Sequence, residues 1–260
     1  MQTLLKISLV LAAACMVLFL GCERAPDPEK VLARARKYYR QGQYEKALQD
    51  HIWFHENALT HKPSLYGVRL SFALIDWIEL GRKYPKAHNA LIDLRNRKAD
   101  LLRNRQGTPE LFHDVKSINK YLYESQKTVE LYKEMTDCDF DLAKQCYDLA
   151  KDELIAHGEF TLCNRMMAAP LFIVRDMRKM LDQNIQIYRS SQWADKAHLD
   201  WSISHYLQEA EQTVIVLAEN DRLVEAKRFL AEADDKIDIA RIRTGIADLE
   251  NKYITAQSPD

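Results

Sequence analysis

Residues 37–48 read Lys37-Tyr-Tyr-Arg-Gln-Gly-Gln-Tyr-Glu-Lys-Ala-Leu48, and this stretch decides the fold. Two amphipathic segments with apolar spacings of three and four residues meet at Gly42, which is helical periodicity on both sides of a break. A glycine at such a junction supplies the left-handed conformation that closes a helix. Glycine is otherwise scarce, with 7 in 260 residues against a usual level of about 7%. No G-x-G-x-x-G and no G-x-x-x-x-G-K-[ST] occurs, so an α/β nucleotide enzyme and a β-sandwich are both disfavoured. The balance of 37 Lys+Arg against 38 Asp+Glu leaves a formal net charge of −1. The chain has no global field for nucleic acid or an anionic membrane. With 29% charged and 47% hydrophobic residues, the composition is that of a folded chain of one or two domains.

Outward from Gly42 the pattern stays helical almost to the end. The expected helices are 28–41, 43–61, 65–81, 84–106, 110–135, 139–157, 159–189, 192–219 and 222–251. Gly42, Gly67, Gly81, Gly107 and Gly158 are expected to punctuate helix ends. Thr108-Pro109-Glu110 is a helix start, with Thr as cap and Pro in the first turn. Pro170 is expected to kink a long helix. No segment alternates apolar and polar residues long enough for a strand.

The first junction closely resembles the tetratricopeptide repeat, through Tyr38, Gly42, Tyr44 and Ala47. In that family the Gly makes the turn, the aromatic fills the helix crossing and the small Ala lets the helices approach. Phe54 to Leu59 followed by Pro63 resembles the end of such a repeat, lengthened by about one turn. Three further copies follow: Gly81, Tyr84 and Ala87; Gly158, Phe160 and Cys163; and Ala226 after Asn220-Asp221, without Gly or aromatic. The small positions 47, 87, 163 and 226 depart from the family's ~34-residue period. The resemblance implies an all-α domain over 29–256, with antiparallel helix hairpins stacked as a solenoid of irregular repeat length. A generic bundle of α-hairpins is the competing architecture.

The first 21 residues hold one charge, Lys6, and an apolar run from Ile7 to Leu20. That run of about 14 residues is short for a span of ~20 and suits a signal-peptide core. Gly21-Cys22 at its end resembles the bacterial lipobox. The resemblance implies a signal peptide over 1–21, lipidation of Cys22 and a linker over 22–28. Glu23 is similar to the residue that follows the Cys in outer-membrane lipoproteins. An uncleaved anchor or plain secretion is the alternative; all of these place the rest outside the cytoplasm, facing the periplasm for a lipoprotein.

Candidate chemistry is sparse. His51 and His55 lie four apart on one helix face, with Glu56 after the second; this spacing can ligate zinc, although Glu56 does not sit between them. His198 and His205, two turns apart, are a weaker pair. Cys138, Cys146 and Cys163 read as core thiols, with a disulfide among them as the alternative. Met166, Met167, Met177 and Met180 read as core filler, and Arg175, Arg178 and Lys179 as a solvated face. In tetratricopeptide proteins the first helix of each pair lines a concave groove. The matching positions are Arg36, Tyr39 and Arg40, then Arg69, Phe72 and Asp76. Arg could grip a peptide carboxylate and the aromatics could supply apolar contact.

These readings point to a non-enzymatic, lipid-anchored scaffold that binds a protein or peptide of the cell envelope, with no cofactor, metal or small-molecule substrate expected. The barrel-assembly accessory lipoproteins are similar in length, anchor and repeat type. The alternatives are a metal-dependent hydrolase using His51, His55 and Glu56, or a purely structural envelope subunit.

Overall fold

Asp27 starts the first helix: its carboxylate accepts the Glu29 N–H at 3.1 Å, and Pro28 takes the first helical position, where a missing N–H costs nothing. The computed structural model describes residues 26–190, 196–234 and 239–255, and these are all-α with no strand among them. The expected signal peptide, Cys22 and most of the expected linker lie outside the described residues. The chain divides into two compact units between Asp93 and Leu94.

The first unit holds α1 (Pro28–Arg40), α2 (Tyr44–His61), a 3-10 turn (Pro63–Leu65), α3 (Tyr66–Arg69), α4 (Phe72–Lys83) and the beginning of α5 (Pro85–Arg103). Val31 and Leu32 of α1 pack with Phe54 and Ala58 of α2 and Ala73 of α4. Each large side chain so buried contributes about 1.5–3 kcal/mol. Arg34 on α1 grips Asp50 on α2 with two bonds of 2.7 and 2.6 Å. Trp77 is 1% exposed, and its indole N–H donates to the Ala87 carbonyl at 2.9 Å, which ties α4 to α5.

The second unit holds the rest of α5, then α6 (Pro109–Tyr121), α7 (Ser125–Cys138), α8 (Phe140–Gln145), α9 (Tyr147–Ala156) and α10 (Phe160–Met166). It continues through α11 (Pro170–Ser190), α12 (Lys196–Ala218), α13 (Leu223–Asp234) and α14 (Ala240–Tyr253). One core gathers Phe112, Tyr132, Met135, Cys146, Leu154 and Cys163. Another gathers Val174, Tyr206, Val214, Phe229, Ile242 and Ile254.

Among the described residues the same backbone device closes five helices. At Gly42, Arg105, Tyr123, Gly158 and Asp221 the φ angle lies between 58° and 74°. In each case the next residue's N–H reaches back five positions: Gln43 to Tyr38, Gln106 to Leu101, Glu124 to Asn119, Glu159 to Leu154 and Arg222 to Leu217, at 2.8 to 2.9 Å. This six-to-one bond is the Schellman closure, which satisfies carbonyls that the ended helix leaves open. At Gly42, Gly158 and Asp221 a small residue follows five positions later, and Ala47, Cys163 and Ala226 are each wholly buried.

Several expected boundaries are corrected. Gly81 does not end a helix: it lies in the last turn of α4, and a Cβ there would stand 3.2 Å from the His88 backbone. Its spacing to Ala87 is one residue longer than in the other copies, so it falls before the turn and serves close approach instead. Gly67 lies inside α3. Pro170 starts α11 rather than kinking a long helix, because Met167 (ψ 141°) has already left helical geometry. Residues 110–135 split at Tyr123, 139–157 at Cys146, 65–81 at Leu70–Ser71 and 222–251 at Ile239. Thr108 caps α6 as expected, its hydroxyl accepting the Leu111 N–H at 3.3 Å.

One geometry with two residue types gives opposite expectations. Gly42 has open space where a Cβ would stand, so Gly42→Ala is expected to destabilise through backbone strain alone, by about 1–2 kcal/mol. Tyr123 is 90% exposed, and Tyr123→Gly is expected to stabilise by up to about 1 kcal/mol as that strain is released. Urea unfolding followed by circular dichroism measures both; two shifts of the same sign would contradict the closure argument.

Candidate functional site

In the first unit, the repeat-like residues assemble into one aromatic seam. Tyr39 and Tyr44 have ring centroids 6.0 Å apart, and Tyr44 and Tyr84 are 6.1 Å apart. The Tyr84 hydroxyl donates to Glu45 at 2.5 Å, and Lys86 bonds both oxygens of the same carboxylate at 2.9 Å. Those bonds hold the Glu45 carboxyl below its usual range. Lys46 stands 5.5 Å from the Tyr38 ring centroid. Ala47 and Ala87 are wholly buried, which lets the neighbouring helices approach.

The expected groove positions divide. Arg36 and Asp76 come together, with Nε to Oδ2 at 2.7 Å, and so join α1 to α4. Arg40 is exposed and Tyr39 half-buried. Phe72 is 63% exposed, and Ile75, which the sequence reading did not single out, is 42% exposed one turn along. Arg69 is the exception. It is buried, with its guanidinium donating to the His55 carbonyl at 3.2 Å. It supports α2 from within and does not line an open face, because the expected helix 65–81 breaks between α3 and α4.

His51 and His55 also turn inward. Both are 2% exposed, and both rings meet Trp77, His51 stacked at 5.8 Å and His55 edge-on at 5.9 Å. Glu56 lies on the exposed side of the helix. The three residues of the hydrolase alternative therefore do not converge. His198 and His205 flank Trp201 at 6.3 and 5.3 Å as a stack. Among the described residues no group of three or more His, Cys, Asp or Glu side chains is placed to hold a metal ion.

Cys146 and Cys163 are buried in one core, and Cys138 is half-buried; all three are free thiols. Burial pushes the Cys146 thiol up to about 12 and the Cys163 thiol up to about 11. Neither is an activated nucleophile, since activation requires the opposite shift. Gly158 makes its left-handed turn, Phe160 opens α10, and Ala226 is buried in α13.

The second unit contains a feature the sequence reading missed. A cleft of about 820 Å³ opens between α8–α9, the α10–α11 junction, α11 and α12. Met166, Met167, Met177, Met180, Phe172 and Ile173 line its apolar part. Met166 and Met177 are buried as expected of core residues, but Met180 is 45% exposed and Phe172 53%. The methionines are thus cleft surface as well as filler. Lys151 bonds both oxygens of Glu209 at 2.8 and 2.7 Å, which closes the floor between α9 and α12. Tyr206 donates to the Ala233 carbonyl at 2.8 Å, and burial pushes its phenol up to about 12. Of the expected basic face, Arg175 lies over the Phe172 ring at 4.9 Å, while Arg178 turns inward to Tyr206. The four-residue spacings 173/177/181 and 176/180/184 held this signal; it was masked because apolar spacing alone does not say which side of a helix another helix will cover.

Comparison of the chain with known protein families, curated proteins and solved structures finds no match.

Burial pushes His51 down to about 4, against a smaller opposing pull from Asp50. An unfolded chain binds that proton near pH 6.5 and the folded chain refuses it until about pH 4. Stability therefore falls as pH is lowered through this window, by about 3 kcal/mol in full. In His51→Leu the loss of unfolding free energy between pH 7 and pH 4 is expected to be smaller by about that amount. Denaturant titrations of both proteins at the two pH values check this, and equal losses would refute it.

Proposed function

We propose that the protein is a non-enzymatic, tetratricopeptide-like scaffold, anchored by a lipid on Cys22 and facing the periplasm, most simply from the outer membrane, that binds another protein of the cell envelope. The carrying observation is the helix junction repeated at Gly42, Gly158 and Asp221, where a Schellman closure is followed five residues later by a wholly buried small residue. Such hairpins bury one face against a neighbour and leave the other face for a partner. In the first unit that face bears Phe72 and Ile75 beside the Arg36–Asp76 pair. Exposed apolar side chains rimmed by charge are the usual composition of a docking surface. No helix among the described residues is long and apolar enough to cross a membrane, and the anchor in this reading is the acylated terminus, with acyl chains contributing about 0.8 kcal/mol per buried methylene. The reading reaches as far as envelope or secretion-complex assembly and assigns no catalytic residue.

Two measurements test it. Cys22→Ala is expected to move the protein out of the membrane fraction and to remove lipid mass from its terminus; an unmodified Met1 in the wild type would refute the anchor. A photo-crosslinking residue at position 72 is expected to give a protein adduct in intact cells that is lost in Arg36→Glu/Arg40→Glu. The same residue at exposed position 56 is expected to give none. Equal adducts from both positions, or adducts indifferent to the charge reversal, would refute the first-unit face as the contact.

A further inference from the structure

We propose that the cleft of the second unit seats a cationic amphipathic helix presented by a partner protein. This deepens the scaffold reading and rests on it. The cleft has the form of a helix bundle with one member missing. Its floor is a single face of α12, where Ser202, His205, Glu209 and Thr213 all border the cleft. Those positions advance by three or four residues and cover about 16 Å, or three helical turns. One wall is a face of α11, with Phe172, Asp176, Met180 and Asn184 four residues apart. The other is the α8–α9 face, with Lys144, Asp148 and Lys151. Three rows at helical spacing turned toward one half-open channel match the contact pattern of a fourth helix, whose anchors recur at i, i+3, i+4 and i+7.

The lining specifies what the fourth helix carries. Met166, Met167, Met177 and Met180 border the same cleft. Unbranched thioether side chains repack around differently shaped apolar partners, which suits a groove for a Leu- or Phe-bearing stripe. Charge sets the flanks. Lys151 and Glu209 neutralise each other across the floor. Asp148 stands on one lip and Asp176 on the other; among the described lining residues the remaining cation is Lys144, one turn before Asp148 on the same lip. The Asp176 side chain is 72% exposed, and Arg175, 3.7 Å away, also lies over the Phe172 ring. Both lips thus present a carboxylate to the channel mouth. A helix with Lys or Arg on either side of its apolar stripe meets both, and one with Glu in those places meets repulsion.

The test uses the whole chain in zwitterionic nanodiscs, with empty nanodiscs as the blank. The probes are two stapled fourteen-residue peptides with Leu at i, i+3, i+4, i+7 and i+11, one flanked by Lys and one by Glu. A monomeric lysophosphatidylcholine is the third probe. Fluorescence anisotropy is expected to show saturable binding of the Lys-flanked peptide, with the Glu-flanked peptide at least tenfold weaker. Met180→Asp, and separately Asp148→Lys/Asp176→Lys, is expected to weaken the Lys-flanked peptide at least tenfold, and the charge reversal to strengthen the Glu-flanked one. The substituted positions are all solvent-exposed, and circular dichroism verifies that the helices persist. Phe72→Asp, in the other unit, is expected to leave binding unchanged. Binding that ignores Met180→Asp, equal affinity for the two peptides, or binding of the lysolipid without either peptide would overturn the assignment. If the peptides fail while adducts at position 72 form, the cleft assignment falls and the scaffold reading stands; if neither forms, both fall.

Discussion

The closing turn between paired helices is the constraint on which the structure depends. A helix that ends in a left-handed residue reverses the chain within two or three positions, and the six-to-one bond leaves no open carbonyl at the break. Once the chain has reversed, the distance between the two helices is set by the residue five positions on. Ala47, Cys163 and Ala226 occupy that place with no exposure at all. A larger side chain there would push the helices apart and uncover the apolar faces on both. Turn and contact are thus one device, and the apolar burial that stabilises each hairpin follows from it.

That device also explains what was legible in the sequence. Where glycine takes the left-handed position, as at Gly42 and Gly158, the boundary could be read directly. Where Arg105, Tyr123 or Asp221 takes it, the residue type gives no sign, and the break at Tyr123 passed unseen inside an expected continuous helix. Asp221 was approachable because Ala226 follows at the family-like spacing. Gly81 misled for the converse reason: its residue type fits a turn, but its spacing places it inside α4, where it serves approach to His88.

The candidate surfaces were legible to different depths. Arg36, Phe72 and Asp76 lie on two different helices and were grouped through the tetratricopeptide resemblance, which lines a groove with the first helix of each pair; Arg36 and Asp76 do meet. Arg69 was expected on the same groove and is buried instead, since the break at Leu70–Ser71 has no Gly or Pro to announce it. The pairing of His51 and His55 on one face was readable, while the direction of that face was not, because it depends on Trp77 arriving from α4. The methionine-lined cleft arises from α9, α11 and α12, separated along the chain and brought together by tertiary packing. Local periodicity identifies which residues share a face and leaves open whether a neighbour will cover it.

The three unpaired cysteines among the described residues have a consequence for the life of the molecule. In the folded state Cys146 and Cys163 are sealed in the core, with thiols too weakly acidic to ionise near neutral pH. In the proposed compartment, oxidation is the default fate of any accessible sulfur. There, native packing would have to form before wrong cross-links do. Afterwards, each excursion that bares α9 and α10 reopens the hazard, so the burial that shapes this core also preserves it chemically.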